Sequence, residues 1–293
     1  MTTSSVRAVV LTLIAGMAFV ALQAQEQRTM QTNGVLEYEV RGVGEAILLI
    51  HGAYIQDALL PLANNAALNS YRLIRYHRRG YGRSARHQQA FSISREVQDA
   101  LALLQHLGVE RANVVGYSSG GVVALELALT APAMVQSLTL IEPAIDAAVA
   151  DNPQIPEFLA AALNLYRSGD KAGAVNAFQT AVFGPSWGEE LPKLVPGALE
   201  QIENGTDVFF QSEMHAVLAY RFGADRAARI SQPILLMLSS DRAPVAGYVR
   251  SFSTWLPQTQ QYIVLDANHN LPMKQPGQIA ERIARFLHDV KLR

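Results

Sequence analysis

The sequence contains no cysteine among its 293 residues, which excludes disulfide bonds, catalysis by a thiolate and zinc sites with thiolate ligands. An excess of charge of one sign is also missing, because 24 Lys and Arg residues nearly balance 25 Asp and Glu residues. Proteins that bind nucleic acid usually carry a basic surface, so we expect no nucleic-acid partner. No run of like charge indicates an interaction tail.

Sequence motifs for cofactors are lacking as well. The chain has no His-Glu-x-x-His zinc motif, no P-loop and no dinucleotide-binding glycine pattern after its first strand. We therefore expect neither a metal nor an organic cofactor. Hydrophobic residues, in contrast, make up 49% of the chain and charged residues 17%, which indicates a globular protein with a sizeable core.

The N-terminus has the pattern of a secretory signal peptide. Arg7 precedes an apolar run from Ala8 to Leu22, and polar residues follow Ala24. The run is shorter than the stretch of about 18 or more apolar residues that a membrane span needs. We predict that residues 1–24 are removed and that the mature chain is exported, to the periplasm or beyond, without membrane contact. An uncleaved membrane anchor is the main alternative.

Strands and helices alternate from residue 35 to residue 141 and again after residue 230. Strands are predicted at 35–40, 46–50, 71–76, 113–117, 137–141, 234–238 and 262–265, and helices at 94–107, 120–130 and 276–290. Several of these strands are continuous apolar runs, typical of strands buried on both faces. The alternation predicts an α/β fold with a mostly parallel, doubly wound sheet, formed by residues 25–145 and 230–293.

Residues 146–229 interrupt the alternation. Pro and Gly break predicted helices there, and no strand pattern appears. We predict an inserted helical subdomain that acts as a lid. Its large apolar residues either line an acyl pocket or form the lid's own core: Phe158, Leu159, Leu163, Tyr166, Phe178, Phe183, Trp187, Phe209 and Phe210.

The strongest signal for chemistry is the segment Gly116-Tyr117-Ser118-Ser119-Gly120-Gly121. It lies between a predicted buried strand and a predicted helix. This is the context of a nucleophile elbow, a sharp turn that lifts a serine to the C-terminal edge of the sheet. Ser118 is therefore the candidate nucleophile.

A serine hydroxyl needs a general base, and His269 is the candidate among seven histidines. It follows the last predicted strand, in a loop that returns to the same sheet edge from the far end of the chain. The developing oxyanion needs two backbone donors. Ser119 supplies one N–H by its position, and the loop after the strand at 46–50 supplies the other, for which the N–H of Ala53 is the candidate.

These motifs, in their order along the chain, resemble those of the α/β-hydrolase superfamily. They are the His51-Gly52 loop, the Arg79-Gly80-Tyr81-Gly82-Arg83-Ser84 loop, the Ser118 elbow, the helical lid and the late His269. The resemblance extends over residues 35–290. Dehalogenases and epoxide hydrolases of this fold have an Asp nucleophile, so a serine argues against both. His77 stands where such families usually have an Asp, a change that we interpret as structural.

The resemblance also implies a carboxylate that orients His269, and two residues compete for this role. The usual place in the superfamily is the loop after the strand that follows the lid, where Asp241 is the only acid. The alternative is Glu142, 24 residues after Ser118, in the place that some dehalogenases and lactone hydrolases of this fold use. A carboxylate directly after a buried strand needs a partner. We favour Glu142 and keep Asp241 as the alternative.

The resemblance implies a serine hydrolase that cleaves an ester or a lactone of a modest, largely apolar small molecule through an acyl-serine. A C–C bond hydrolase and a cofactor-free perhydrolase or haloperoxidase are alternatives among enzymes. A non-catalytic ligand-binding protein on the same scaffold is the alternative from another class. The intact Ser118 and His269 favour an enzyme.

Overall fold

The computed structural model describes residues 31–87, 91–145, 155–241 and 248–292. Within these ranges the strands are β1 (Gln31–Thr32), β2 (Glu37–Arg41), β3 (Ala46–Ile50), β4 (Arg72–His77), β5 (Ala112–Tyr117), β6 (Val135–Ile141), β7 (Ile234–Ser239) and β8 (Thr259–Val264). They form one sheet in the order β1-β2-β4-β3-β5-β6-β7-β8. Strands β3 to β8 run parallel to one another, and β1 and β2 pair antiparallel. The predicted α/β fold with a mostly parallel sheet is confirmed.

Helices lie between these strands and after the last one. They are α1 (Leu60–Ala63), α2 (Ile93–His106), α3 (Ser119–Thr130), α4 (Glu157–Arg167), α5 (Lys171–Phe183), α6 (Trp187–Leu194), α7 (Ala198–Val208), α8 (Met214–Ala219), α9 (Ala224–Ala227), α10 (Tyr248–Trp255), α11 (Leu271–Lys274) and α12 (Pro276–Lys291). A π-helical segment, Phe209–Glu213, joins α7 to α8.

Helices cover both faces of the sheet, which explains why most residues of the central strands are apolar. Side chains of β3 alternate between the two faces. Leu48 and Ile50 belong to the hydrophobic cluster that includes α2, α3 and α10. Ile47 and Leu49 belong to the cluster that includes α12 and the helices between β6 and β7.

The register of the parallel strands brings several loops to one edge of the sheet. Tyr117 of β5 pairs with Ile141 of β6, and Ile141 pairs with Met237 of β7. The residues that follow these strands are therefore neighbours, because parallel strands end on the same side. The residues predicted to carry chemistry, Ser118, Glu142 and Asp241, all follow one of these three strands.

Some elements differ from the sequence prediction. β8 begins at Thr259, earlier than the predicted 262. The prediction missed this start because β8 is an edge strand whose first three residues are polar and at most half-buried, so they show no apolar pattern. Four elements are absent from the prediction: β1, α1, α10 and α11. Strand and helix limits elsewhere shift by one or two residues, as is usual at element ends.

Between β6 and β7, the described residues 155–229 contain helices and no strand. We call residues 155–229 the helical insert. The first residues of the predicted lid, 146–154, lie outside the described residues, as does the predicted signal peptide at 1–24. Within the described ranges, no helix has the length and apolar character needed to cross a membrane.

Candidate active site

The turn between β5 and α3 holds Ser118 in a strained backbone conformation, with φ +54° and ψ −123°. Such a conformation costs a non-glycine residue on the order of 1–3 kcal/mol and persists only where the surroundings enforce it. Glycines leave space for the turn. A Cβ on Gly116 would lie 2.5 Å from the carbonyl oxygen of Gly120, and a Cβ on Gly52 would lie 2.8 Å from the Cβ of Ser118. The turn presents the Ser118 side chain at the C-terminal edge of the sheet.

A chain of hydrogen bonds joins Ser118, His269 and Glu142. Nε2 of His269 lies 3.1 Å from Oγ of Ser118, and Nδ1 of His269 lies 3.2 Å from Oε2 of Glu142. With its proton on Nδ1, the neutral imidazole donates to the carboxylate and leaves Nε2 free to accept the serine proton. This arrangement fits nucleophilic catalysis by the hydroxyl.

The carboxylate of Glu142 is buried, and hydrogen bonds hold its charge. Its Oε1 accepts a hydrogen bond from the backbone N–H of Ser239 at 2.6 Å, and its side chain is only 1% exposed. Burial raises the pKa of Glu142, but the hydrogen bond and charge interaction with His269 and the bond from Ser239 outweigh burial. The pKa of Glu142 therefore lies below its usual range, and the group is ionised at neutral pH.

Asp241 lies two residues after the end of β7, where it is exposed and lines the same pocket. In the part of the chain that the structure describes, no hydrogen bond joins Asp241 to His269. The geometry brings Glu142, and not Asp241, to Nδ1 of His269.

The rings of Tyr117 and Phe183 lie next to His269, a contact that the sequence analysis did not predict for either residue. The hydroxyl of Tyr117 donates to the carbonyl oxygen of His269 at 2.7 Å, and the two rings lie 5.1 Å apart. The ring of Phe183 lies 5.7 Å from the imidazole. Asn268 anchors the loop that carries His269 to the helical insert, because its Nδ2 donates to the carbonyl oxygen of Phe183 at 2.8 Å. These contacts fix the direction of the imidazole, and Tyr117 is recognisable in the sequence only as part of the elbow motif.

The two candidate oxyanion donors, Ala53 and Ser119, both line the pocket that contains Ser118. Among the described residues, neither backbone N–H has a hydrogen-bond acceptor. Ser119 is the first residue of α3, so its N–H is one of the free donors at the start of that helix. Tyr54, the residue after Ala53, has a left-handed φ of +64°, which marks a tight turn in this loop. Both N–H groups are available to a negatively charged oxygen.

The pocket at Ser118 is a cavity of about 690 Å³ with a mostly apolar lining. Its volume suits a small molecule rather than a polymer. Of the large residues predicted for the lid, five line the cavity: Phe158, Leu159, Phe178, Phe183 and Phe209. The others, Leu163, Tyr166, Trp187 and Phe210, are not among its described lining residues.

His77 supports the loop that follows β4. Its Nδ1 lies 2.8 Å from Oε2 of Glu37, and its Nε2 lies 3.1 Å from Oδ1 of Asp57. The same Glu37 carboxylate accepts hydrogen bonds from the backbone N–H and the Nε of Arg83. In place of the Asp that the resemblance implies at position 77, Glu37 of β2 provides the carboxylate that binds Arg83. The ring of His77 lies between the carboxyl groups of Glu37 and Asp57.

Sequence reasoning also missed Glu213, a fully buried carboxylate in the π-helical segment of the insert. Its hydroxyl partners are Ser119 and Tyr81, and its ion-pair partner is Arg78. A weak signal exists in the sequence. Glu213 lies four residues from Phe209, which places it on the apolar face of a helix, where a charge needs a partner.

No group of three or more His, Asp or Glu side chains within the described ranges is arranged to hold a metal ion. Of the acidic and histidine side chains that line the pocket, Glu142 and His269 are engaged with each other, and Glu142 also binds the backbone N–H of Ser239.

Comparison with known proteins identifies the family. A family model described as the alpha/beta hydrolase fold matches residues 45–276, so the chain belongs to the α/β-hydrolase family, and hydrolysis is its class of reaction. It is 31% identical over 217 residues to the putative carbamate hydrolase RutD of Azorhizobium caulinodans, over 73% of this chain and 80% of the relative.

Solved structures share the fold. The enol-lactonase from Burkholderia xenovorans LB400 superposes with a TM-score of 0.72 at 21% identity, over 87% of this chain and 98% of that chain. A thermophilic esterase from Thermogutta terrifontis superposes with a TM-score of 0.71 at 20% identity, over 87% of this chain and 93% of that chain. At such identities the similarity extends to the fold alone.

Proposed function

We propose that the protein is a serine hydrolase that cleaves an ester or a lactone of a modest, largely apolar molecule through an acyl-serine intermediate. One observation carries the proposal: hydrogen bonds run from Ser118 through His269 to Glu142 beside an apolar cavity of about 690 Å³. A binding protein needs a pocket, but ligand binding requires neither a serine in a strained backbone conformation nor a histidine nitrogen 3.1 Å from its hydroxyl.

Acylation follows from this geometry. Oγ of Ser118 attacks the carbonyl carbon while Nε2 of His269 takes the hydroxyl proton. Negative charge develops on the carbonyl oxygen, and the N–H groups of Ala53 and Ser119 stabilise it. The bond to the leaving oxygen then breaks, and the imidazolium returns its proton to that oxygen. Glu142 stabilises the imidazolium and holds its tautomer.

Deacylation repeats these steps with water. His269 takes a proton from the water, whose oxygen attacks the acyl carbon, and the same two N–H groups bind the oxyanion. The bond to Oγ breaks, and Ser118 regains its proton. With a lactone, the leaving hydroxyl stays attached to the acyl group, so a single hydroxy acid is released.

The helical insert serves as the lid in this proposal, and residues 25–145 with 230–293 as the core. Support comes from the cavity, since Phe158, Phe178 and Phe209 of the insert face it. Apolar walls favour an apolar acyl or lactone chain. Export of the enzyme stays a prediction from the sequence of residues 1–24.

The proposal is tested by replacing Ser118 with alanine. We expect kcat for a p-nitrophenyl ester to fall by about 10⁴- to 10⁶-fold, because only binding and the oxyanion donors would remain. A fluorophosphonate should label the unmodified protein at Ser118 and leave the variant unlabelled. Ser212→Ala is a matched control, since among the described residues that hydroxyl donates to the carbonyl oxygen of Val208 within the insert and has no other partner. Full activity in the Ser118 variant would reject the proposal.

A further inference from the structure

A buried ion pair lies beside the two oxyanion donors. Arg78 follows β4, and Glu213 belongs to the insert. Nη2 of Arg78 lies 2.6 Å from Oε1 of Glu213, and both side chains are 0% exposed. Removing two charges from water is unfavourable, and apolar replacements of such pairs are often neutral or stabilising. A contribution to the stability of the fold therefore does not explain why this ion pair is present. The contacts of Arg78 and Glu213 indicate another role.

Arg78 holds the peptide group that carries the first oxyanion donor. Its Nη2 donates to the carbonyl oxygen of Gly52 at 3.0 Å, and its Nε donates to that of His51 at 3.0 Å. The Gly52 carbonyl and the Ala53 N–H belong to one planar peptide unit, so fixing the oxygen fixes the direction of the N–H. A cation at that oxygen also polarises the peptide and strengthens the N–H as a donor.

His51 provides a second donor to the same oxygen. Its Nε2 accepts a hydrogen bond from the backbone N–H of Arg78 at 2.8 Å, which assigns the ring proton to Nδ1, 2.6 Å from the carbonyl oxygen of Gly52. Burial and the charge of Arg78 hold the pKa of His51 well below its usual range. The ring therefore stays neutral and keeps this tautomer.

Glu213 connects Arg78 to the second oxyanion donor. Its Oε1 accepts a hydrogen bond from Oγ of Ser119 at 2.6 Å, and its Oε2 accepts one from the hydroxyl of Tyr81. The Tyr81 oxygen in turn lies 3.4 Å from the backbone nitrogen of Tyr54, next to Ala53. One carboxylate thus ties together both stretches of backbone that provide the oxyanion donors.

We propose that Arg78 and Glu213 are positioning residues that set the direction and the donor strength of the Ala53 and Ser119 N–H groups. Because Glu213 comes from the helical insert, the insert completes the oxyanion hole only when it is docked on the core. This inference rests on the proposed function, since it takes the reacting carbonyl oxygen to bind between these two N–H groups. Neither positioning residue is among the described residues that line the cavity.

The test compares an ester with its thiono analogue, in which sulfur replaces the carbonyl oxygen. Sulfur is a weak hydrogen-bond acceptor, so the thionoester gains little from the oxyanion donors. With Glu213→Gln, we expect kcat for a p-nitrophenyl ester to fall by about 10- to 100-fold while KM stays within about threefold, because the donors act on the transition state. The thionoester should lose much less, so the ratio of the ester rate to the thionoester rate falls.

Two further variants keep the test decisive. Ser119→Ala keeps the backbone N–H and removes only the hydroxyl that donates to Glu213. It should lower the ratio of the ester rate to the thionoester rate by a smaller factor than Glu213→Gln does. This variant tests the inference even if Glu213→Gln fails to fold. Glu39→Gln is the control, because Glu39 forms a partly buried ion pair with Arg75 at 2.5 Å outside the described cavity lining. It should leave the ratio unchanged even if it lowers the melting temperature.

Parallel losses for the ester and the thionoester, or an unchanged ratio in folded Glu213→Gln and Ser119→Ala, would overturn the inference. Failure of the proposed function looks different. In that case the Ser118→Ala variant would still hydrolyse the ester. An inactive Ser118→Ala variant together with an unchanged ratio rejects the positioning role alone.

Discussion

At the residue scale, the backbone of Glu142 matters as much as its side chain. Its φ of +45° is left-handed, and its N–H donates to the carbonyl oxygen of Met237 on the adjacent strand at 2.9 Å. This turn directs the carboxylate across the end of β7, where Ser239 N–H binds one oxygen and His269 faces the other. Glu142, which directly follows β6, therefore reaches the imidazole of His269. β6 is the neighbour of β5, the strand that precedes Ser118.

Replacing Glu142 with glutamine should lower kcat by about 10³- to 10⁴-fold, by analogy with loss of the acid in a catalytic triad. The amide oxygen would still accept from Ser239 N–H, but its NH₂ would face Nδ1 of His269. The neutral imidazole would then carry its proton on Nε2, and a protonated Nε2 cannot accept the proton of Ser118. The measurement is kcat for a p-nitrophenyl ester on folded protein.

Asp241→Asn is the paired variant, and we expect it to cost less than about tenfold, since a surface residue away from Nδ1 loses no catalytic hydrogen bond. The reverse ranking of the two variants would assign the carboxylate role to Asp241.

Residues differ in how far the sequence could predict them. Ser118 and His269 stand in local patterns, a turn between strand and helix and a loop after the last strand, so their positions follow from nearby residues. Glu142 was favoured over Asp241 because a buried carboxylate needs a partner. Arg78 and Glu213 are separated by 135 residues, and no local pattern indicates that they meet.

At the element scale, the helical insert contributes most of the aromatic wall of the cavity. The rings of Phe178 and Phe209 lie 4.6 Å apart, and each also contacts Tyr54 of the loop next to Ala53. Such aromatic contacts add to area burial by about 0.5–1.5 kcal/mol per pair. The insert is thereby held on the core where the acyl chain of a substrate would lie.

Phe178→Ala should change the preference for acyl chain length. Pocket contacts are worth about 1–3 kcal/mol per methylene, so kcat/KM for long-acyl esters should change by about tenfold or more while acetate esters stay within about tenfold. The measurement is kcat/KM over a series of p-nitrophenyl esters. Trp187→Ala is the control, because Trp187 belongs to the same insert but not to the described cavity lining. If acetate and long-acyl esters fall in parallel, the insert is structural and not selective.

Elements were predictable where burial imposes a pattern. The strands β3, β5 and β7 are buried along their whole length and β6 at every residue except Gln136, and their apolar runs predict their positions within two residues. The edge strand β8 starts with polar residues, of which Thr259 and Gln260 are half-buried and Gln261 is exposed, so its apolar pattern is weak there. The helices of the insert were predicted only as a class, because prolines and glycines divide them into short pieces.

At the scale of the whole molecule, one buried polar cluster joins three parts of the chain: the loop after β4, the helix α2 and the insert. Glu96 of α2 contributes the second carboxylate, with Oε2 3.5 Å from Nη1 of Arg78. Burial raises the pKa of Glu96 to about 8. The charge of Arg78 offsets this effect only in part, because the negative charges of Glu213 and Asp99 act in the same direction as burial.

The raised pKa of Glu96 makes the stability of the fold depend on pH. The folded protein keeps the Glu96 proton up to about pH 8, whereas the unfolded chain releases it near its ordinary value of 4.5. The stabilising effect of this proton is complete below that ordinary value. It declines by about 1.4 kcal/mol per pH unit as the pH rises towards about 8, where it is lost.

Glu96→Gln, which mimics the protonated side chain, should remove this dependence. Between about pH 5.5 and pH 7, the free energy of unfolding of the unmodified protein should fall by about 2 kcal/mol relative to that of the variant. Urea unfolding at both pH values measures the difference, and contributions from other groups cancel between the two proteins. Glu110→Gln, at an exposed position, should run parallel to the unmodified protein. Parallel curves for Glu96→Gln as well would mean that Glu96 is already ionised in the folded state, and that the cluster of Arg78, Glu213 and Glu96 carries a net negative charge at neutral pH.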